Sequence, residues 1–186
     1  MLVVLAIISI IVTLSTPLSN IYKSNRVSTQ VQEFVGSLNV ARNEAVSRGV
    51  PVSICIRNTV EIDGVPTLVC AGDAGDTDDW SAGWLVFIDR DSDCVIDPNI
   101  DPTLDDTVIN QRNAMATGFS LEVQHHCIRY TAAGITPATN GLWTLCDPSG
   151  TAGLKRGISL SVSGRAQILD PQRAEELAID LADCPA

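Results

Sequence analysis

The feature that most constrains this chain is its opening. Residues 2–12, Leu-Val-Val-Leu-Ala-Ile-Ile-Ser-Ile-Ile-Val, carry one hydroxyl in eleven positions, and the run fades through Thr13 and Leu14. Thirteen helical residues span only about 20 Å, whereas a bilayer core of about 30 Å needs roughly 20 residues, so this stretch alone does not cross comfortably. A secretory signal would place a basic region before the run and a small-residue cleavage site after it. Leu14-Ser15-Thr16-Pro17 is a poor site, so cleavage after the run is not expected. A buried core helix would show a polar stripe, and here only Ser9 stands before Thr13.

Past Pro17 the pattern changes. Val27, Val31, Phe34/Val35, Leu38, Ala41/Arg42 and Ala45 advance by threes and fours, opposite Lys23, Gln30, Glu33, Asn39 and Glu44. That spacing predicts an amphipathic helix. Arg48-Gly49-Val50-Pro51 closes it with a cation, a left-handed cap and a stop. An apolar half running through a Pro kink into an amphipathic half, about 45 residues in all, is long for a globular helix. It suits a membrane-rooted stalk whose lower part packs on a domain. The expected division is 1–19 apolar helix, 20–48 amphipathic continuation and 49–186 β domain.

After Pro51 the helical period disappears. Val52–Arg57, Thr67–Cys70, Trp84–Ile88, Ser120–Gln124, Cys127–Tyr130, Leu142–Cys146 and Gly157–Val162 are short β-rich runs, the first two joined by Asp63-Gly64 as a hairpin turn. Such strands need one face covered, and the helical stripe is the obvious cover. The fold class is α+β, a long N-terminal helix packed on antiparallel sheet. Pro171 opens a short C-terminal helical turn.

Net charge excludes some partners. The chain carries -10, and residues 61–110 hold 13 of the 22 acidic residues against Arg90 alone, so that window is -12 and the remainder +2. Coating of nucleic acid is not expected. Six cysteines without C-x-x-C or zinc spacing point to a disulfide framework outside the reducing cytoplasm: Cys55, Cys70, Cys94, Cys127, Cys146 and Cys184. Fifteen pairings are open. Cys55 with Cys70 is the cheapest closure, across a hairpin, and Cys184 on the tail has a physical reason to be tied to a strand cysteine such as Cys146.

The opening Met-Leu-Val-Val-Leu-Ala-Ile-Ile-Ser-Ile-Ile-Val-Thr-Leu-Ser-Thr-Pro17 resembles the second part of the processed N-terminal segment of type IV pilin-like proteins, which reads roughly G-F-T-L-I-E-[LM]-L-V-V-[LV]-A-I-I. Trp80-Ser-Ala-Gly-Trp84-Leu-Val-Phe-Ile-Asp89, Tyr130-Thr-Ala-Ala-Gly134, Leu142-Trp-Thr-Leu-Cys146 and Ser163-Gly-Arg165 are similar, in order, to the GspH/FimT family of minor pilins and pseudopilins. The resemblance implies a Gly, a methylated first residue and a Glu directly before Met1, so that the chain starts inside the mature helix. It also implies a subunit stored in the inner membrane by one helix with a periplasmic domain, then assembled with other pilins or pseudopilins through that helix in a pilus or secretion pseudopilus. A tail-to-strand disulfide is favoured by the same resemblance, which leaves Cys94 and Cys127 for each other.

Asp89-Arg-Asp-Ser-Asp-Cys-Val-Ile-Asp97 sets carboxylates at alternate positions, as a calcium loop does, but Cys94 and Ile100 stand where such a loop wants Gly and Glu. A solvated acidic loop is the plain reading. Weak Ca²⁺ on Asp89, Asp91, Asp93 and Asp97 is the alternative, and no other cofactor is expected. His125-His126, as strand neighbours, would face opposite ways and not share a metal. Trp80 and Trp84 read as core. No signature of catalysis is present, and no enzyme is expected. DNA-uptake members of the family carry G-R-x-R near the C-terminus. Gly164-Arg165-Ala166-Gln167 lacks the second Arg, so a DNA-binding minor pilin, resting on Arg165, is the weaker alternative.

Overall fold

A computed structural model describes residues 2–62, 64–71, 79–96, 106–123, 125–139, 141–148 and 154–176, with side chains from Ile21 onward except those of Glu122 and Glu176. Helix α1, Leu2–Arg48, runs without a break past Pro17. Gly49 ends it at φ +67°, its N–H bonded to Ala45 O at 2.9 Å. Among the described residues no helix is long and apolar enough to cross a membrane.

Nine strands follow among the described residues: β1 (Val52–Ile62), β2 (Val65–Cys70), β3 (Trp84–Ile88), β4 (Thr107–Arg112), β5 (Ser120–Glu122), β6 (Cys127–Tyr130), β7 (Gly141–Cys146), β8 (Arg156–Leu160) and β9 (Ala166–Leu169), then α2 (Pro171–Glu176). They form two antiparallel sheets, β2-β1-β3-β4 with β6 also on β1, and β5-β7-β8-β9. β4 reads Thr-Val-Ile-Asn-Gln-Arg and is half exposed at a sheet edge, so its sequence lacks the apolar alternation that marks the others. β9 is four residues long and gives equally little signal.

The α1 stripe is the centre of the core. Val27, Val31, Phe34, Leu38, Ala41 and Ala45 are buried against Val52, Ile54, Ile56, Trp84, Val86, Ile128 and Tyr130 of the first sheet and Leu121, Trp143, Leu145, Ile158 and Leu160 of the second. Phe34 meets the faces and edges of three indoles, with centroids at 5.3 Å to Trp80, 5.1 Å to Trp84 and 6.4 Å to Trp143, all near perpendicular. Trp80 is held by a 3-10 turn that Asp79 caps, through Ser81 N–H at 2.8 Å, and its indole N–H donates to His125 O at 3.0 Å. The two histidines therefore lie in the bend between β5 and β6 and not in a strand. Their carbonyls are drawn to Trp80 and to Ile56 N–H, which turns the chain from one sheet to the other.

Side chains of β1 alternate. Val52, Ile54 and Ile56 face the helix, while Ser53 and Cys55 face outward, where Cys55, Leu85, Phe87 and Cys127 make a second cluster. Two strands share one side of β1 end to end. Ile56 N–H donates to His126 O, next to β6, and Ile56 O accepts from Ala71 N–H, next to β2. Beyond Arg57, β1 pairs with β2 alone, to Ile62↔Val65. In this ribbon Val60, Ile62 and Val65 are exposed, Asn58 Oδ1 accepts Thr59 N–H at 2.8 Å, and Pro66 sits on the outward edge.

Phe34→Ala should lower stability by about 3–5 kcal/mol, because it empties the space between three buried indoles. Thermal unfolding followed by tryptophan fluorescence checks it.

Candidate functional site

The residues that seat α1 come from distant parts of the chain. Arg42 carries the main junction: its Nε donates to Gly134 O at 3.0 Å and its Nη2 to Ser163 O at 3.0 Å. Both acceptors lie in tight turns. In the first, Gly134 N–H bonds Thr131 O at 2.7 Å with Gly134 at φ +71°; in the second, Gly164 N–H bonds Ser161 O at 2.8 Å with Gly164 at φ +75°. Thr136 joins them, its N–H to Val162 O and its hydroxyl to Ser161 O, each at 2.9 Å. A Cβ on Gly164 would run into the Gly134 carbonyl oxygen and the Tyr130 ring, and one on Gly134 would meet Val46 and Arg42. Glycine is required at both places by conformation and by space. At the other end of the described helix, Arg26 lies 5.0 Å over the Phe119 ring and Gln30 Oε1 accepts Ala116 N–H at 3.3 Å.

Tyr130 sits under this junction, fully buried, its hydroxyl without a hydrogen-bond partner. Burial pushes its phenol well above the ordinary 10.0, and the Arg42 charge opposes that shift only in part.

On the outer face Asp89 is buried and organises the loop after β3. Its Oδ1 accepts Asp93 N–H at 3.1 Å, and its Oδ2 accepts from Ser53 Oγ and from Arg129 Nε at 3.4 Å. Asp93 turns its own Oδ1 to Val95 N–H at 2.8 Å. Asp89, Asp91 and Asp106 bring one carboxylate oxygen each within 4.8 Å of one another. Among the described residues these three are the ones placed to share a hard cation. Asp106 was missed in sequence because it lies far along the chain, Asp93 is outside the group, and Asp97 lies outside the described residues. Cys55 is bridged to Cys70 and Cys94 to Cys127, with Cα separations of 5.6 and 6.3 Å. Cys146 is also in a disulfide, and Cys184 lies outside the described residues. Arg165 is exposed on the β8–β9 turn of a chain whose net charge is -10.

Arg42→Ala should cost about 2 kcal/mol in a denaturant titration, since two charged hydrogen bonds are lost at a partly exposed site. Tyr130→Phe removes a hydroxyl that has no partner, so stability at neutral pH should hold or rise. The raised phenol also binds its proton more tightly folded than unfolded, so stability should fall as pH climbs above 10.0. The Tyr130→Phe protein should show a shallower alkaline decline in melting temperature.

The junction turns, the aromatic cluster and the helix seat apart from Arg26 and Val27 fall inside residues 30–164, the span matched by the family model described as type II transport protein GspH. Among curated protein sequences none matches the chain. Among solved structures, two crystal forms of the type IV minor pilin FimU of Pseudomonas aeruginosa share the fold. The first is 21% identical at a TM-score of 0.53, covering 79% of this chain and 90% of that one; the second is 19% identical at 0.50, covering 76% and 90%. Fold and family together support a structural role as a pilin-like or pseudopilin-like component of an envelope-associated assembly. With the family model spanning well over half of its length, the chain belongs to the GspH family of type II transport proteins.

Proposed function

We propose that this chain is a minor pilin or pseudopilin subunit, held in the inner membrane before assembly and then inserted by the first part of α1 among the helices of neighbouring subunits. The observation that supports this most directly is the division of labour along one helix. α1 runs unbroken from Leu2 to Arg48, about 70 Å at 1.5 Å per residue, and among its described side chains, which begin at Ile21, the core of the domain takes those from Val27 onward. The sequence before that point is apolar on all sides from Leu2 to Val12. A helix of that composition is solvated by lipid or by other apolar helices and not by water.

In this reading affinity comes from close packing of apolar helices, while the β domain stays outside the bundle and carries the surfaces that differ between subunits. The clamp at Arg42 matters because any force on the rod reaches the domain through the helix seat. The acidic surface, net -10, keeps stored subunits apart until helix packing brings them together.

A charge placed in the apolar run tests this. Ile8→Lys should abolish recovery of the subunit in sheared filaments or in the assembled pseudopilus, while the melting temperature of the domain stays that of the parent. Equal recovery of the Ile8→Lys and parent proteins would overturn the assignment of that segment to the filament core.

A further inference from the structure

The geometry points to a disulfide-exchange site on the outer face of β1, in which Cys55, Cys70, Cys94 and Cys127 interchange between two complete pairings with an external thiol as the reacting partner. Cys55 lies directly opposite Cys127 in the β1–β6 ladder. Ile56 sends both its backbone groups toward the side that β6 and β2 share, so those of Cys55 point the other way. The pair is therefore of the non-hydrogen-bonded kind, with Cα atoms about 4.5 Å apart, inside the range a disulfide spans. Both residues belong to one apolar cluster with Leu85 and Phe87. The other two cysteines face a common space. Cys70 and Cys94 line a single cavity of about 200 Å³ with Asp93 and His126.

Each cysteine is thus bonded to its present partner and shares either a ladder position or a cavity wall with its alternative one, and the exchange closes without an oxidant. A thiolate entering the cavity attacks Cys94 Sγ, drawn by the Arg129 guanidinium, whose Nη2 is 3.3 Å from that sulfur. A mixed disulfide forms and Cys127 leaves as a thiolate. The Cys127 thiolate attacks Cys55 Sγ across the ladder, the Cys55–Cys127 bond forms, and Cys70 is expelled as a thiolate into the cavity. Cys70 then attacks Cys94 Sγ of the mixed disulfide, the Cys70–Cys94 bond forms, and the external thiolate is released. Two protein disulfides break and two form, with no electron pair gained or lost. The loop that moves is already under tension: Ser92 and Cys94 hold φ +65° and +66°, a region that side chains other than Gly and Asn disfavour. In the second pairing the root of the β1–β2 ribbon is released from β1 and tied to that loop.

The full-length protein, kept folded in detergent, is incubated with a small amount of reduced glutathione, quenched with maleimide and digested with trypsin. Cleavage after Arg48, Arg57, Arg90, Arg112 and Arg129 leaves each cysteine on its own peptide, 49–57, 58–90, 91–112 and 113–129. Expected is a matched loss of the 49–57/58–90 and 91–112/113–129 links, with equal gain of 49–57/113–129 and 58–90/91–112 and no change in intact mass. Persistence of the starting links over several hours overturns the proposal. So does a 49–57/91–112 link that appears as fast as 49–57/113–129, which is the mark of unfolding and random scrambling. The Cys70→Ser/Cys94→Ser double variant gives a second reading. It should form the Cys55–Cys127 bridge as it is made, and maleimide labelling of both remaining thiols in the folded variant would equally sink the idea.

Discussion

Burial of one helical stripe holds this molecule together. The two sheets are separate ladders, and the side chains of both close on the same few residues of α1, with Phe34 at the centre of three indoles. Hydrophobic burial is non-directional, so apolar contact alone would let the helix slide or roll on such a bed. Directional bonds fix its register: Arg42 to two turns at one end of the seat, Gln30 and Arg26 to the 115–119 segment at the other. Apolar area supplies the energy and a few polar groups choose the position. That combination suits a helix whose remaining length belongs to other contacts.

The first sheet is used on both faces. Its helix side is ordinary core, while its outer side is a thin layer in which two disulfides, Leu85 and Phe87 take the place of a second packed layer. Asp89 binds this layer to the loop that covers it, with its carboxylate shared among Ser53, Arg129 and the Asp93 backbone. A buried carboxylate is tolerable only with such partners. The described part of the alternating acidic run therefore contains one residue of a different kind: Asp89 is structural, and Asp91 is exposed beside it.

Much of this was legible in sequence because helical and strand periods report directly which face is buried. The stripe from Val27 to Ala45 gave the helix and its core face, and Gly49-Val50-Pro51 gave its end. The less legible parts are those whose determinants are remote. β4 is a polar edge strand that its neighbour β3 makes into a strand, so no local pattern marks it. Arg42 sits within the apolar stripe and reads as a flaw in it until two turns, 92 and 121 residues away, supply the acceptors. Asp106 joins Asp89 and Asp91 only in three dimensions. His125 and His126 read as strand residues because strand-like sequence flanks them on both sides; the hydrogen bond from Trp80 that turns the chain there has no counterpart in local sequence.

The ribbon formed where β1 outruns its sheet has blunted rims. Along β2 an incoming chain would meet Pro66, which offers no amide hydrogen, and along β1 the Thr59 amide is already taken by Asn58. Backbone zippering to a stranger is thereby discouraged on either border, while Val60, Ile62 and Val65 keep an oily flat between them. Any contact made there would have to run through side chains, so the ribbon presents an apolar surface without an open backbone edge.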